Sequence, residues 1–312
     1  MEIFRDASRE ILSRNDSPDL PFRWSVNPYR GCFHGCAYCY ARPSHEYWGF
    51  GAGTDFESKL VVKEDAATLL RQAFDRSFWK GELIVFSGNT DCYQPLEASY
   101  GLTRACLEVC ADYRNPVGII TKGALVLRDL DVLARLHQKA WTRVYFSIPF
   151  ADDAVARKME PQAPSVGKRL EIMKALSEAG ISTGISIAPV IPGLNDEAMP
   201  ELLARARAAG ARTATFSLLR LSGSVESVFL ERVKDAFPDR FAKITNRFRE
   251  VRGGRLSESA FFDRHQGTGT YWQMLEQLFE VARRRAGFAC DREEVIPDTF
   301  RRPGGAQTTL FD

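Results

Sequence analysis

What this chain does not contain narrows it first. No apolar run approaches the roughly 20 residues that a membrane-spanning helix needs, and the first residues, MEIFRDASREIL, are charged from position 2 onward. That start lacks the apolar stretch of a secretion signal. Charge of one sign is not in excess: 42 Lys and Arg stand against 40 Asp and Glu, for a net charge of +2. A cationic coat that would bind nucleic acid indiscriminately is thereby excluded, while a local basic groove is not. Cysteine is scarce and odd in number, seven in 312 residues, which is poor material for a disulfide framework. No second Cys/His pair follows the first cysteines at zinc-finger spacing. The expectation is a cytoplasmic chain with reduced thiols and no membrane association. What remains is ordinary for a globular protein, with 45% hydrophobic and 26% charged residues, enough to bury one large core.

Three of the seven cysteines stand together. Cys32, Cys36 and Cys39 lie in NPYRGCFHGCAYCYARP as C-x3-C-x2-C, with no fourth cysteine nearby. Three thiolates can hold three irons of a [4Fe–4S] cube. The fourth iron then has no protein ligand and is open to a small molecule. That arrangement suits S-adenosylmethionine (SAM), bound through its amino and carboxylate groups and cleaved by one-electron transfer. Two plainer readings compete with it. A zinc site could recruit His34 as fourth ligand but lacks a second pair downstream. Buried, unligated cysteines are common, yet they seldom gather in a Gly-rich loop flanked by aromatics.

The rest of the chain alternates. The runs Glu82–Gly88, Pro116–Lys122, Arg143–Pro149, Ser182–Val190 and Thr213–Leu219 are short and apolar throughout, as strands buried on both faces are. Between them lie the helical patterns Ala98–Tyr113, Leu130–Ala140, Val166–Ala179 and Glu197–Ala209. The segment before Cys32 supplies a first strand and Asp65–Phe74 a first helix, giving six parallel β/α units, fewer than the eight of a closed barrel. Asp129 and Asn195-Asp196 read as helix starts, and Gly180 and Gly210 as helix stops. The expected fold class is therefore α/β, an open, partial (β/α)6 TIM-type barrel with a mainly helical C-terminal extension. Its divisions are an N-terminal extension over 1–22, the core over 23–222, the helical extension over 223–294 and a flexible Pro/Gly-rich tail over 295–312.

Parallel β/α architectures bind ligands at the carboxyl ends of their strands. Read in order, those ends carry Ser87, Asn89, Thr90, Asp91 and Cys92, then Thr121-Lys122, then Ser147, then Ala188-Pro189. Small hydroxyl-bearing side chains and one lysine on a single rim can hydrogen-bond a zwitterionic amino acid and a ribose. The plainer alternative is that strand ends are polar in any fold.

These residues carry a resemblance. YRGCFHGCAYCYARP, TDFESKLVVKEDA, SGNTD, IITK, FSI, EPQAPSVGKRLEIMKALSEAGI and APVIPGLND together resemble the radical SAM superfamily, over about Phe22 to Leu219. Within it the chain is similar to the spore photoproduct lyase-like branch, often labelled DNA repair photolyases. The resemblance implies Cys32, Cys36 and Cys39 as ligands of a [4Fe–4S] cluster. It implies Thr90, Lys122 and Ser147 as SAM contacts, with Lys122 pairing the SAM carboxylate; Ser87 and Asn89 join them as cofactor-binding candidates from their place on the rim. It implies Tyr38 and Tyr40 as a relay that returns a hydrogen atom or electron to the cofactor, although adenine stacking explains Tyr38 equally well. An external electron donor of flavodoxin or ferredoxin type is implied too, together with a lyase activity in DNA repair. The chemistry is formation of a 5′-deoxyadenosyl radical and abstraction of hydrogen from a damaged or modified base. Modification of a protein or a small molecule is the second reading.

The sequence departs from that branch at one place. The lyase carries a hydrogen-donor cysteine at the end of its second strand, and here Asn89 stands there, with Cys92 three residues on as a shifted donor or a buried thiol. Cys106 and Cys110 share a helix face and read as an auxiliary cluster with Cys92 or, more simply, as core. The extension holds Arg247–Arg255, Arg264-His265, Arg283–Arg285 and Arg301-Arg302, interleaved with Phe261, Phe262, Tyr271 and Trp272. Such a mixture suits phosphate contact and base stacking, or equally a solvated helical face. Finally, Gln307, Leu310 and Phe311 fit the Q-x-x-L-F peptide that docks into the bacterial sliding clamp.

Overall fold

The computed structural model describes residues 1–289 and 295–303. Ten strands are present there: β1 (Glu2–Arg5), β2 (Leu12–Arg14), β3 (Trp24–Val26), β4 (Tyr29–Arg30), β5 (Lys59–Val62), β6 (Ile84–Phe86), β7 (Val117–Thr121), β8 (Thr142–Ser147), β9 (Ser182–Val190) and β10 (Thr213–Leu218). Seven form one sheet in the order β10-β9-β8-β7-β6-β3-β2. From β3 to β10 every neighbouring pair is parallel, and β2 alone runs antiparallel. The six parallel strands are those expected from the apolar runs. Their inward side chains, such as Phe86, Ile119, Phe146 and Ile187, are buried in one continuous core. Among the described residues β10 and β2 do not pair, so the barrel-type sheet stays open.

Helices Ala66–Asp75, Leu102–Tyr113, Leu130–His137, Val166–Glu178 and Met199–Ala208 connect the parallel strands. The expected helix over 98–113 is two helices, Glu97–Tyr100 and Leu102–Tyr113. Gly101 divides them in a left-handed conformation, φ +62°, which only glycine adopts without strain. Asp129 does stand at a helix start, but its side chain caps nothing. It is buried and paired instead with Arg104 and Arg128, at 3.3 and 2.8 Å.

Two features were not legible in the sequence. The N-terminal residues are built into the sheets: β2 pairs with β3, and β1 joins a second small sheet, β1-β5-β4. That small sheet is local to the cysteine loop, because β4 ends at Arg30 and the loop begins at once. Beyond β10 the helices Val225–Ala236, Phe241–Val251 and Gly269–Arg285 form the expected extension. The last of them packs beside the helix Met199–Ala208 and onto β10, with Phe279 and Trp272 stacked on Phe216 at 4.3 and 5.6 Å.

The flexible tail expected from 295 does not begin there. Residues 299–302 are docked across the barrel: Arg302 donates to the Phe74, Arg76 and Trp79 carbonyls, and Arg301 N–H donates to the Tyr113 carbonyl at 2.8 Å. Phe300 fills the niche between Phe74 and Tyr113, which compensates its ordering. Cys290 and the peptide with Gln307, Leu310 and Phe311 lie outside the described residues. No described helix is long and apolar enough to cross a membrane.

Candidate active site

The cysteine loop is shaped by backbone clamps. Cys32 N–H donates to the Phe56 carbonyl and Ala37 N–H to the Met159 carbonyl, both at 2.9 Å. Gly35 has φ +63°, and a Cβ there would lie 2.4 Å from the Glu57 carboxylate, so only glycine passes. The chief organiser is Arg42, itself buried. Its guanidinium donates to the carbonyls of Cys36 (3.0 Å), Ala52 (2.8 Å), Gly53 (2.8 Å) and Gly35 (3.1 Å), and to Glu57 Oε2 at 3.3 Å. A planar fork with five N–H donors can do this and an ammonium cannot.

Cys32 and Cys36 are buried and Cys39 is half-buried. Burial pushes all three thiols up, with Asp91 adding to Cys32; Cys36 reaches about 12 despite the opposing charge of Lys122. The thiols are therefore protonated at neutral pH until metal displaces the protons. Among the described residues no three Cys, His, Asp or Glu side chains meet at a point where one ion could sit. A [4Fe–4S] cube differs, since each thiolate takes its own iron and the three need not converge.

Beside the loop runs the rim. Ser87, φ +74°, accepts from Cys92 N–H at 3.0 Å and so folds the end of β6 back on itself. Asn89 is committed at both ends, its N–H to Asn27 Oδ1 at 2.8 Å and its amide nitrogen to Ser44 Oγ at 3.2 Å. Asp91 ties three elements together. It accepts from Thr121 Oγ1 at 2.6 Å and from Lys122 N–H at 2.7 Å, and lies 3.4 Å from His34 Nδ1 in the cysteine loop. Burial pushes its carboxyl up, but His34 and these donors outweigh burial and hold it well below the ordinary carboxylate range. Thr90 Oγ1 is buried and has no hydrogen-bond partner among the described residues. Such an orphan needs a partner, and a polar ligand on this rim would be one.

Inside the rim lies a buried ionic network that sequence reasoning missed. Glu160 accepts from the Tyr38 hydroxyl and from Arg169 Nη2, and Lys122 Nζ stands 4.0 Å from its Oε1. Arg169 also donates to the Ser147 carbonyl at 3.0 Å and the Pro164 carbonyl at 2.8 Å. Burial pushes Glu160 up, yet Arg169 and Lys122 hold it below its usual value. Lys122 and Arg169 thus face Glu160 beside Cys36, with Asp91 also close enough to act on Lys122. Lys122 also sits over the Tyr38 ring, 5.6 Å from its centroid. Ser147 Oγ donates to the Ala188 carbonyl at 3.1 Å, joining the β8 and β9 ends.

The structure thus gathers Cys36, Tyr38, Lys122 and Ser147 around one buried carboxylate, with Thr90 and Asp91 on the neighbouring strand end. Tyr40 faces elsewhere: its ring is 54% exposed and its hydroxyl donates to the Gly88 carbonyl at 2.7 Å. No hydrogen bond joins the two tyrosines, each having its own partner. Cys92, Cys106 and Cys110 lie wholly inside the main core, and they gather no metal-holding group. Glu160 and Arg169 did leave a signal, an acidic and a basic residue nine apart in EPQAPSVGKR, at the end of the helix Asp153–Met159 and in the first turn of Val166–Glu178. Much of the arginine-rich extension is structural. Arg252 is spent on backbone carbonyls, Arg264 pairs with Asp19, and Trp272 is buried.

Comparison with known proteins agrees with this geometry. The radical SAM superfamily matches residues 26–206. An uncharacterised protein of Mycobacterium tuberculosis is 35% identical over 296 residues, covering 94% of this chain and 83% of its own length. A radical SAM Nalpha-GlyT isomerase of Pseudomonas phage M6 is 25% identical over 233 residues, covering 73% of this chain and 46% of the isomerase. Among solved structures, spore photoproduct lyase with bound AdoMet and dinucleoside spore photoproduct superposes with a TM-score of 0.59 at 17% identity. The superposition covers 91% of this chain and 77% of the lyase, a likeness of fold.

Proposed function

This chain belongs to the radical SAM superfamily, and on that premise we propose that it abstracts hydrogen from a modified or damaged base in a nucleic-acid strand. Its cofactors are a [4Fe–4S] cluster and S-adenosylmethionine. When bound, they supply the 5′-deoxyadenosyl radical that removes a hydrogen atom from an unactivated C–H bond. The protein's own residues do the rest. Cys32, Cys36 and Cys39 would hold the cluster on a loop pinned by Arg42. Lys122, steadied by Glu160, would meet the SAM carboxylate, and Thr90 would give its unpartnered hydroxyl to the same ligand. Tyr38, packed against Phe150 at 6.3 Å, would wall the chamber and keep water from the radical.

The observation that carries the substrate is Tyr40. One residue beyond the third cysteine it holds an aromatic face to solvent, with its hydroxyl tied down to the Gly88 carbonyl. A fixed, exposed aromatic ring at the mouth of a radical chamber is a surface on which a base can stack. An open barrel admits a nucleotide extruded from its strand, at a cost of a few kcal/mol that is least at a lesion. The fold shared with spore photoproduct lyase supports the reading.

Asn89, committed to Asn27 and Ser44, presents no thiol where that lyase carries one, so the product need not be the lyase's. The test is anaerobic reconstitution with dithionite and SAM, followed by deuterated DNA or deuterated peptide pools. Deuterium in 5′-deoxyadenosine from DNA supports the reading. Deuterium from peptides alone overturns it.

A further inference from the structure

Arg220 stands two residues past the end of β10, on the strand-end rim. It is half-buried, its Nε is sealed from solvent, and that nitrogen has no hydrogen-bond partner among the described residues. Among the described residues no salt bridge reaches it either, although it lies close enough to Asp19, Tyr40, Arg252 and Arg264 to interact with them electrostatically. The carboxylate within reach is already taken. Both Asp19 oxygens bind Arg264, at 2.7 and 2.5 Å, and Asp19 Oδ2 also accepts from Phe262 N–H at 3.2 Å. Arg252 directs both terminal nitrogens to the carbonyls of Leu219, Asp263, Arg264 and Gln266, although its Nε, like that of Arg220, has no hydrogen-bond partner among the described residues. Burial, then the charge of Arg264, push the Arg220 guanidinium below its usual value. A crowded, half-buried cation with no ion pair among the described residues is costly unless an anion reaches its guanidinium.

A second observation stands on the same Asp19. Phe262 has φ +71°, a left-handed conformation that bulky residues avoid, and its ring is 60% exposed. Its amide is fastened by Asp19, so the strain serves to hold an aromatic ring out in solvent. Strain that displays an apolar surface is characteristic of a ligand-binding position.

We propose that Arg220 and Phe262 form a substrate subsite on the β10 side of the mouth, Arg220 taking a backbone phosphate and Phe262 stacking a flanking base of a single nucleic-acid strand. The proposal rests on the reading of the preceding subsection and adds where the strand runs: away from Tyr40 toward the extension. An arginine fork matched to phosphate oxygens beside a stacking ring is the combination that single-strand binders use. Lys122 is separate from it, enclosed at Cys36 and Tyr38.

The test is fluorescence anisotropy of the reconstituted full chain with a short labelled oligothymidylate across a salt series, with SAM affinity measured in parallel by equilibrium dialysis. Arg220→Ala should weaken oligonucleotide binding about tenfold and lower the salt slope by about 0.7, the value of one single-strand phosphate contact. Arg220→Lys should recover part of the affinity and the slope, which also guards against misfolding. Phe262→Ala should lose affinity with the slope unchanged, because stacking releases no counterions. Equal affinity and slope in Arg220→Ala and wild type would overturn the subsite and leave the nucleic-acid reading standing. Failure of the wild type to bind any oligonucleotide would remove that reading and the subsite with it. Loss of SAM affinity alone in Arg220→Ala would assign the residue to the cofactor and overturn the proposal.

Discussion

The two sides of the mouth use arginine in opposite ways. On the β6–β9 side, Arg42 and Arg169 are buried with their donors spent on loop carbonyls and on Glu57 or Glu160. On the β10 side, Arg220 has no hydrogen-bond partner for its sealed Nε, and two phenylalanines stand exposed nearby. The first side spends its arginines on holding the cysteine loop and Glu160 in place. The second keeps the charge and the ring that the proposed subsite would use. Buried polar groups are expensive when unpaired, so the two sides are stabilised differently.

Variants should separate the two sides. The largest effect is expected from Cys36→Ala, which should abolish 5′-deoxyadenosine formation and reduce bound iron, measured by chromatography and iron assay. Next is Arg42→Ala, which strands the carbonyls of Gly35, Cys36, Ala52 and Gly53. It should cost on the order of 3 kcal/mol in urea denaturation of the apo chain and lower iron retention. Full stability in that variant would break the comparison at its firmest point.

Lys122→Ala should leave the cluster's absorbance intact while weakening SAM binding about ten- to a hundredfold, the worth of a charge-assisted contact of about 1.5–3 kcal/mol. Unchanged SAM affinity would mean that Lys122 serves only Glu160. The smallest effect should come from Cys106→Ala, about 1 kcal/mol of stability from a small cavity, with SAM cleavage as in the wild type. In the wild type Cys92, Cys106 and Cys110 should resist thiol reagents until the chain unfolds, as their burial predicts.

Much of the barrel was legible because parallel strands buried on both faces leave uninterrupted apolar runs. β9 was read at its observed bounds, Ser182–Val190, and β7 and β10 to within a residue at each end. The two strands before Trp24 were not legible. They are three and four residues long, polar on one face or both, and make sense only against β3 and β5. The helix break at Gly101 was missed because glycine inside a helical pattern is often tolerated. In the site, the cysteines could be read from spacing alone, whereas Arg42, Glu160 and Arg169 could not. Their roles depend on which carbonyls and hydroxyls surround them after folding. The arginine-rich extension was the least readable part, since a list of arginines does not distinguish Arg252, whose terminal nitrogens bind four carbonyls, from Arg220, which has no hydrogen bond among the described residues.

The sequence by itself determined the local quantities: a three-cysteine loop, six strand-forming runs, and the small polar residues that end them. Those follow from spacing and periodicity, which belong to neighbours along the chain. Only the tertiary structure decided which charges are compensated, because burial and pairing are set by residues far apart in sequence, such as Asp19 with Arg264 or Tyr38 with Glu160. An ionic group's worth depends on its partners and its exclusion from water, and neither exists until the barrel is assembled.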